Sequence, residues 1–287
     1  MIKKLAIFGV GLIGGSLAMA LRRAGGCEKI VGCSRSADHL KRAVELGVID
    51  EFTLDPAQAV AGADMVLLAV PLGAMQSLLE KIADHLDPGA VVTDAGSSKG
   101  SVVAAAKAAF GEVPEFFVPG HPIAGREKSG VEAALADLYV DHKVILTPLE
   151  NTLPAAVESV KQMWESTGAK VQTLGVDQHD KVLAATSHLP HVVAYALVET
   201  VSKTDCVDQI FEYAAGGFRD SSRVASSDPV MWRDVCLENR DAIIDSLAEF
   251  QTKLGDLRSL IENSDAEALL KLFTHAKSVR DEHVLKN

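Results

Sequence analysis

Three clusters of side chains in this sequence could do chemistry. The first surrounds His121, in the run Val118-Pro119-Gly120-His121-Pro122-Ile123-Ala124-Gly125. Two prolines and two glycines clamp this histidine at the end of a predicted strand of a parallel sheet. An imidazole held there, with a pKa near neutrality, suits general acid/base work; the alternative is a structural turn histidine. The second cluster is His188 and His191, three apart around Pro190 on a predicted helix, where they could share one face. No carboxylate flanks them at ligand spacing. Substrate contact by one and core hydrogen bonding by the other is therefore expected, and no metal site. The third is Gly216-Gly217-Phe218-Arg219-Asp220-Ser221-Ser222-Arg223, read as a loop between two helices. Paired glycines followed by polar groups let backbone wrap a ligand. Arg219 or Arg223 could grip a carboxylate with two parallel hydrogen bonds, or form surface ion pairs. Trp232 follows on the next helix, where an aromatic is more often core than ligand-facing. Of the remaining histidines, His39, His85, His142, His275 and His283 stand in polar contexts and read as surface, and His179 is a weaker candidate.

A fourth feature binds rather than reacts. Gly9-Val10-Gly11-Leu12-Ile13-Gly14 fits G-x-G-x-x-G between a predicted strand (4–10) and a predicted helix (14–24). Gly9 permits the tight turn, Gly11 lets backbone approach a pyrophosphate, and Gly14 lets helix and strand pack closely. The helix start, with Leu12 and Ile13, offers unpaired N–H groups to phosphates. The next strand ends Gly32-Cys33-Ser34-Arg35-Ser36, with no carboxylate at its tip to take ribose hydroxyls. Ser34, Arg35 and Ser36 suit a 2′-phosphate instead, so NADP is the favoured cofactor and NAD the alternative. Val70 and Pro71, closing a later strand, are grouped with the cofactor contacts.

These residues need elements to position them. Short apolar runs at 4–10, 29–33, 63–70, 90–94, 116–119 and 143–147 alternate with helical patterns at 14–24, 36–46, 74–85 and 98–110. That alternation implies a parallel sheet covered on both faces. Past Pro148 the texture changes to amphipathic helices at 153–167, 177–202, 207–214, 229–263 and 266–283, with one short strand at 170–174. Two domains follow, 1–150 and 151–287. Asp228-Pro229 is a good helix start, a capping carboxylate before a first-turn proline.

Composition narrows the classes. The 287 residues are 48% apolar and 23% charged, enough to bury a large core. The net charge is −11 and there is no basic run, which argues against a nucleic-acid or membrane-surface partner. Four cysteines, none spaced as Cys-x-x-Cys, fit free thiols in a reducing cytoplasm. Lys3-Lys4 and the apolar run behind them imitate a secretory signal, but Gly9, Gly11, Gly14 and Gly15 are spaced as a turn requires. No segment reaches the length of a membrane span.

Five ordered motifs resemble the TyrA family, the prephenate, arogenate or cyclohexadienyl dehydrogenases of tyrosine biosynthesis. They are the glycine-rich turn, Val92-Thr93-Asp94-Ala95-Gly96-Ser97-Ser98-Lys99-Gly100, Gly120 to Gly125, Ser187-His188-Leu189-Pro190-His191, and Gly216 through Arg223 to Asp234. The resemblance implies a Rossmann-like α/β N-terminal domain with a mostly parallel doubly wound sheet, and an all-α C-terminal domain that forms a homodimer. The active site would lie in the cleft between them. It implies His121 as the catalytic histidine and Ser97 as a serine that hydrogen-bonds near it. Arg223 would hold the ring carboxylate, with His191, His188 and Trp232 lining the pocket and Glu127 near its mouth. Ser34-Arg35 departs from members with an aspartate there and is similar to NADP-using ones. Two other classes are compatible with the glycine-rich turn: another two-domain hydroxyacid or imine dehydrogenase, and an NADP-binding redox sensor without chemistry.

Overall fold

Residues 5–8 and Met65–Leu68 are buried on both faces, as strands in the middle of a helix-covered parallel sheet must be. The computed structural model describes residues 1–126 and 128–283, in two compact units, Met1–Arg240 and Asp241–Asn287. The first unit is built on β1 (Ile2–Phe8), β2 (Cys27–Cys33), β3 (Glu51–Thr53), β4 (Met65–Leu68), β5 (Val91–Asp94) and β6 (Phe117–Val118). All six pair in parallel in the order β3-β2-β1-β4-β5-β6. The winding reverses between β1 and β4, the switch point where such sheets bind ligands. The intervening helices are α1 (Leu12–Ala24), α2 (Ala37–Glu45), α3 (Pro56–Val60), α4 (Met75–Ile82) and α5 (Gly100–Phe110).

The strand carrying His121 is not part of this sheet. β7 (Gly120–Pro122) leaves the end of β6 and pairs antiparallel with β8 (Lys143–Leu146), placing His121 opposite Ile145. β9 (Lys170–Thr173) lies parallel to β8, after α6 (Pro154–Glu165). The sequence expectation of a parallel-sheet strand ending at His121 is corrected accordingly. Pro119 supplies no N–H to continue a ladder, and the chain turns there into a second, three-stranded sheet.

The expected break at residue 150 also shifts. Ala156, Val160, Met163 and Trp164 of α6 lie in one core with Leu5, Ile7, Leu17 and Leu21. Trp164 meets Tyr139 edge-on at 5.1 Å, and the Tyr139 hydroxyl donates to the Ile13 carbonyl at 2.6 Å. The segment through β9 therefore packs with the nucleotide half. Only after Thr173 does the chain turn all-helical, through α7 (Val176–Leu183), α8 (Leu189–Ser202), α9 (Val207–Glu212), α10 (Gly216–Ser222) and α11 (Pro229–Glu238).

Three further expectations are modified. The helix over 177–202 carries a wide turn at Ala184–His188, of the π type. Pro190 cannot donate a backbone hydrogen bond, and its ring crowds the carbonyl four residues back, so the preceding turn widens. The loop expected at 216–223 is instead α10 and a tight 3-10 turn, Arg223–Ser226. The helix over 229–263 breaks at Asn239, whose side chain is drawn inward by hydrogen bonds described below. Asp228 does cap α11, accepting from the Met231 N–H at 2.8 Å.

The second unit, by itself, is helical. It holds nearly all of α12 (Arg240–Glu262) and the whole of α13 (Ala266–His283). Asp265 caps α13 through the Ala268 N–H at 3.0 Å. Leu254, Ile261, Leu270 and Phe273 are exposed on these helices.

Candidate active site

At the switch point, Gly9 has φ +88°, and a Cβ on it would sit 2.2 Å from the Ala69 carbonyl oxygen. A Cβ on Gly14 would sit 2.2 Å from the Gly9 carbonyl oxygen. Neither position accepts a side chain, because the turn, α1 and the end of β4 are packed backbone to backbone. Gly11 is different: a Cβ there meets nothing within 4 Å. It opens α1 without any side-chain cap, so the first-turn N–H groups, with Leu12 and Ile13, are left for an outside acceptor. This open, donor-rich edge fits a dinucleotide pyrophosphate. Val70 and Pro71 continue from Ala69 beside it, half-buried and exposed respectively. At the tip of β2, Arg35 is exposed, the Ser34 hydroxyl lies 3.4 Å from the Ser36 N–H, and the Ser36 hydroxyl caps α2 by accepting from the His39 N–H. His39, expected on the surface, is half-buried and donates from Nε2 to the Val10 carbonyl at 2.9 Å, inside the glycine-rich turn. His85, His142, His275 and His283 are exposed.

The loops after β5 and β6 converge on the same carboxyl edge. Asp94 and Lys99, both with fully buried side chains, form an ion pair beneath His121. Asp94 accepts from the Gly96 N–H at 2.7 Å and the Gly120 N–H at 3.0 Å, while Lys99 Nζ donates to the Gly120 carbonyl at 2.6 Å. Both polar groups of Gly120 are thus held by one buried pair, which fixes the backbone that presents His121. Burial pushes the Lys99 ammonium pKa down, and Asp94 works against that fall.

His121 is 8% exposed. Its Nδ1 meets Nε2 of His179 at 2.9 Å, and Nδ1 of His179 meets Asp180 at 2.7 Å. Burial first, then the neighbouring His179, Lys99 and His188, hold the His121 pKa well below the usual histidine range, so the ring is neutral at physiological pH. Ser97 is half-buried in the bend after β5 and, among the described residues, makes no hydrogen bond to His121. The histidine that sequence reasoning ranked lower, His179, makes the contact with the imidazole instead.

The helical segments supply the opposite wall. Trp232 of α11 is buried and stacks on His191 of α8, ring centres 3.6 Å apart. His191 donates from Nδ1 to the Ser187 carbonyl at 2.9 Å, which leaves its Nε2 as an acceptor when neutral. His188, 1% exposed, sits edge-on to the same tryptophan. Its Nδ1 accepts from the Asn239 amide at 3.0 Å, so the neutral ring carries its proton on Nε2, which has no partner among the described residues. Burial pushes the His188 pKa down to about 4. Burial also lowers the His191 pKa, with the Arg223 charge adding to the fall. Arg223 opens the 3-10 turn after α10 with an exposed side chain, and Arg219 is exposed on α10. Glu127 lies outside the described residues.

Sequence reasoning missed Asp94, Lys99, Asp180 and Asn239 as working residues. The available signal was a carboxylate at the end of a short buried strand and an ammonium just before the next helix, inside a motif already singled out.

A doubly wound sheet with an open glycine-rich helix start, and a neutral imidazole at the same edge, defines a nucleotide-binding dehydrogenase. Comparison with known proteins gives the particular family. Residues 17–173 match the prephenate dehydrogenase nucleotide-binding domain, and residues 176–275 match the prephenate dehydrogenase dimerization domain. The chain is 38% identical to a cyclohexadienyl dehydrogenase of Zymomonas mobilis, over 97% of this chain and 95% of that one. It is also 38% identical to a prephenate dehydrogenase of Bacillus subtilis, over 95% of this chain and 74% of that one. Among solved structures, prephenate dehydrogenase from Aquifex aeolicus in complex with hydroxyphenyl propionate and NAD+ superposes with a TM-score of 0.91. That pair shares 40% identity and covers 98% of each chain. The chain belongs to the prephenate dehydrogenase family.

Proposed function

We propose that this chain oxidises and decarboxylates prephenate, or its amino counterpart arogenate, in tyrosine biosynthesis, with NADP as preferred hydride acceptor. The observation that carries this reading is the neutral His121, tied at Nδ1 and buried at the carboxyl edge of the sheet whose first strand leads into the glycine-rich turn. The substrate ring bears a hydroxyl at carbon 4 and a carboxylate at carbon 1. A bound nicotinamide supplies the site that takes the hydride from carbon 4.

The chain's own residues do the rest. Nε2 of His121 accepts a hydrogen bond from the ring hydroxyl and takes on part of its positive charge as carbon 4 becomes carbonyl-like. Electrons from the breaking carboxylate bond then enter the ring, carbon dioxide leaves, and aromatisation makes the step effectively irreversible. The proton shared with His121 stays with the phenolic oxygen of the product. Arg223 holds the ring carboxylate, which fixes the ring face presented for hydride transfer. His188, His191 and Trp232 line the side-chain end of the ring, where the Nε2–H of His188 and the indole N–H of Trp232 are donors without a partner among the described residues. Ser97 serves the nicotinamide side of the site.

NADP is preferred in this reading because Ser34 and Arg35 stand at the β2 tip without a carboxylate. The Ser36 hydroxyl is engaged in capping α2, so Arg35 carries most of the expected discrimination. The chain works as a homodimer in the cytoplasm. The exposed apolar residues of α12 and α13 and the match to a dimerization domain support the first part, and four free thiols support the second. Steady-state kinetics with prephenate and arogenate, each with NAD and NADP, tests the proposal. Reduction of neither cofactor by either acid would overturn it.

A further inference from the structure

Two neutral histidines in contact through ring nitrogens must share one proton, and their outer partners decide which ring donates. Here the outer partner on one side is fixed. Asp180 begins no helix of its own; its carboxylate reaches across to the start of α5. One oxygen accepts from the Lys99 N–H and the other from the Gly100 N–H, each at 2.8 Å, with the Ser98 hydroxyl at 3.4 Å. The helix start has no cap from its own N-cap residue, Lys99, so this carboxylate satisfies donors that would otherwise be orphaned. A Cβ at Gly100 would lie 2.9 Å from Asp180 Oδ2, so glycine is needed for the approach. Burial opposes the charge on Asp180, but these hydrogen bonds and that from His179 outweigh it and hold its pKa below the ordinary carboxylate range.

An ionised carboxylate only accepts. His179, whose side chain is fully buried, must then donate from Nδ1 to Asp180 and keep a lone pair on Nε2. That lone pair faces Nδ1 of His121, so His121 donates from Nδ1 and keeps its own lone pair on Nε2. We infer that Asp180 and His179 form a relay that locks His121 in the tautomer whose Nε2 is a hydrogen-bond acceptor, making His179 a positioning residue for the reaction. The inference rests on the proposed role of His121 and deepens it. As the ring hydroxyl shifts positive charge onto His121, its Nδ1–H bond to His179 strengthens, and the charge is shared with a ring already paired to a carboxylate. When the ring aromatises, the hydroxyl keeps its proton and the relay returns to its starting state, so no proton is gained or lost.

Other groups face the pair. Lys99 and Asp94 lie beneath it from the β5–α5 segment, and His188 approaches from the π turn. Asn239 joins that turn to the relay, donating to the Asp180 carbonyl at 2.9 Å as well as to His188. Lys99 disfavours a second cation at either ring, which keeps the relay neutral before substrate binds.

The test uses the full-length protein labelled with ¹⁵N-histidine. At neutral pH the His121 ring, assigned by its loss in His121→Asn, should show a protonated Nδ1 and an unprotonated Nε2. A protonated Nε2 in the wild type would overturn the relay without any variant being made. His179→Phe removes the acceptor and should let His121 change tautomer, lowering kcat roughly 100-fold with KM for the ring acid changed less than about threefold. His179→Gln keeps an amide oxygen where Nε2 stood and should restore both the tautomer and at least about a tenth of the lost rate. A rate and tautomer unchanged in His179→Phe would refute the inference. If instead the tautomer is as stated but His121→Asn keeps full kcat, the relay stands and the role proposed for His121 fails.

Discussion

Replacing Lys99 by methionine perturbs the site from below. The substitution keeps most of the aliphatic volume but removes the ammonium that pairs with Asp94 and holds the Gly120 carbonyl. Asp94 is then left as a fully buried carboxylate with two backbone donors, Gly96 and Gly120, and the Gly120 carbonyl loses a 2.6 Å partner. Breaking a buried ion pair by removing one member costs about 3–5 kcal/mol, because the survivor stays desolvated. The two remaining donors on Asp94 put the expected loss at the low end, near 3 kcal/mol. With a urea dependence near 3 kcal/mol/M, the midpoint of the transition should fall by roughly 1 M. The same change frees the backbone one residue before His121, so kcat should fall about tenfold or more through lost alignment. Urea unfolding followed by circular dichroism, alongside turnover, measures both. The double change Asp94→Leu with Lys99→Met removes the stranded charge but leaves two N–H groups and a carbonyl unpaired, so it should recover no more than about half the stability. A single variant whose midpoint lies within about 0.2 M of the wild type would show that the pair does not hold this edge together.

Three further outcomes follow from the site. His121→Asn should lower kcat roughly 100-fold with little change in KM; because the wild-type ring is needed neutral and its pKa is held well below 6.5, the acid limb of kcat/KM should fall below that pH, and a limb at or above 6.5 would contradict the burial argument. Arg223→Ala should chiefly raise KM, by about 2–3 kcal/mol for a charged carboxylate partner, and a normal KM would shift that role to another cation such as Arg219. Arg35→Ala should weaken NADP while sparing NAD, as read by the ratio of the two KM values; equal losses would put the guanidinium outside the phosphate site.

Stability should also fall on acidification, for a reason the buried histidines supply. His188 titrates at about 4 in the folded chain and near 6.5 unfolded, so between those values the unfolded state binds more protons. Stability from this group is complete above about pH 6.5 and is lost as the pH falls toward 4.

Much of the site could be read from residue types because local chemistry marks it. The glycine turn needs glycine for reasons of backbone contact, and His121 stands between prolines and glycines that announce a rigid turn. The parallel, helix-covered sheet was likewise written in the alternation of apolar runs with helical patterns, whereas its doubly wound order came only with the family resemblance. His179 and Asp180 were not legible, since their roles come from contacts with residues roughly 60 to 80 positions away and nothing local distinguishes a buried helical histidine from an exposed one. The boundary at 150 failed because the apolar stripe of α6 does not say which sheet it covers; only the shared core with Leu5 and Leu17 does. α10 was missed because Gly216-Gly217 at a helix start looks like a loop, and β3 and β7 because three residues are too few to show a period.

The carboxylate of Asp180 ties together two stretches of chain that could otherwise be exchanged independently between relatives. A chimera joined near residue 174 would inherit one partner from each parent, so a donor lacking aspartate at 180, or glycine at 100, would yield a hybrid that folds yet presents its imidazole in the wrong protonation pattern. Trading halves between family members keeps this contact only if residues 98–100 move along with the helical portion.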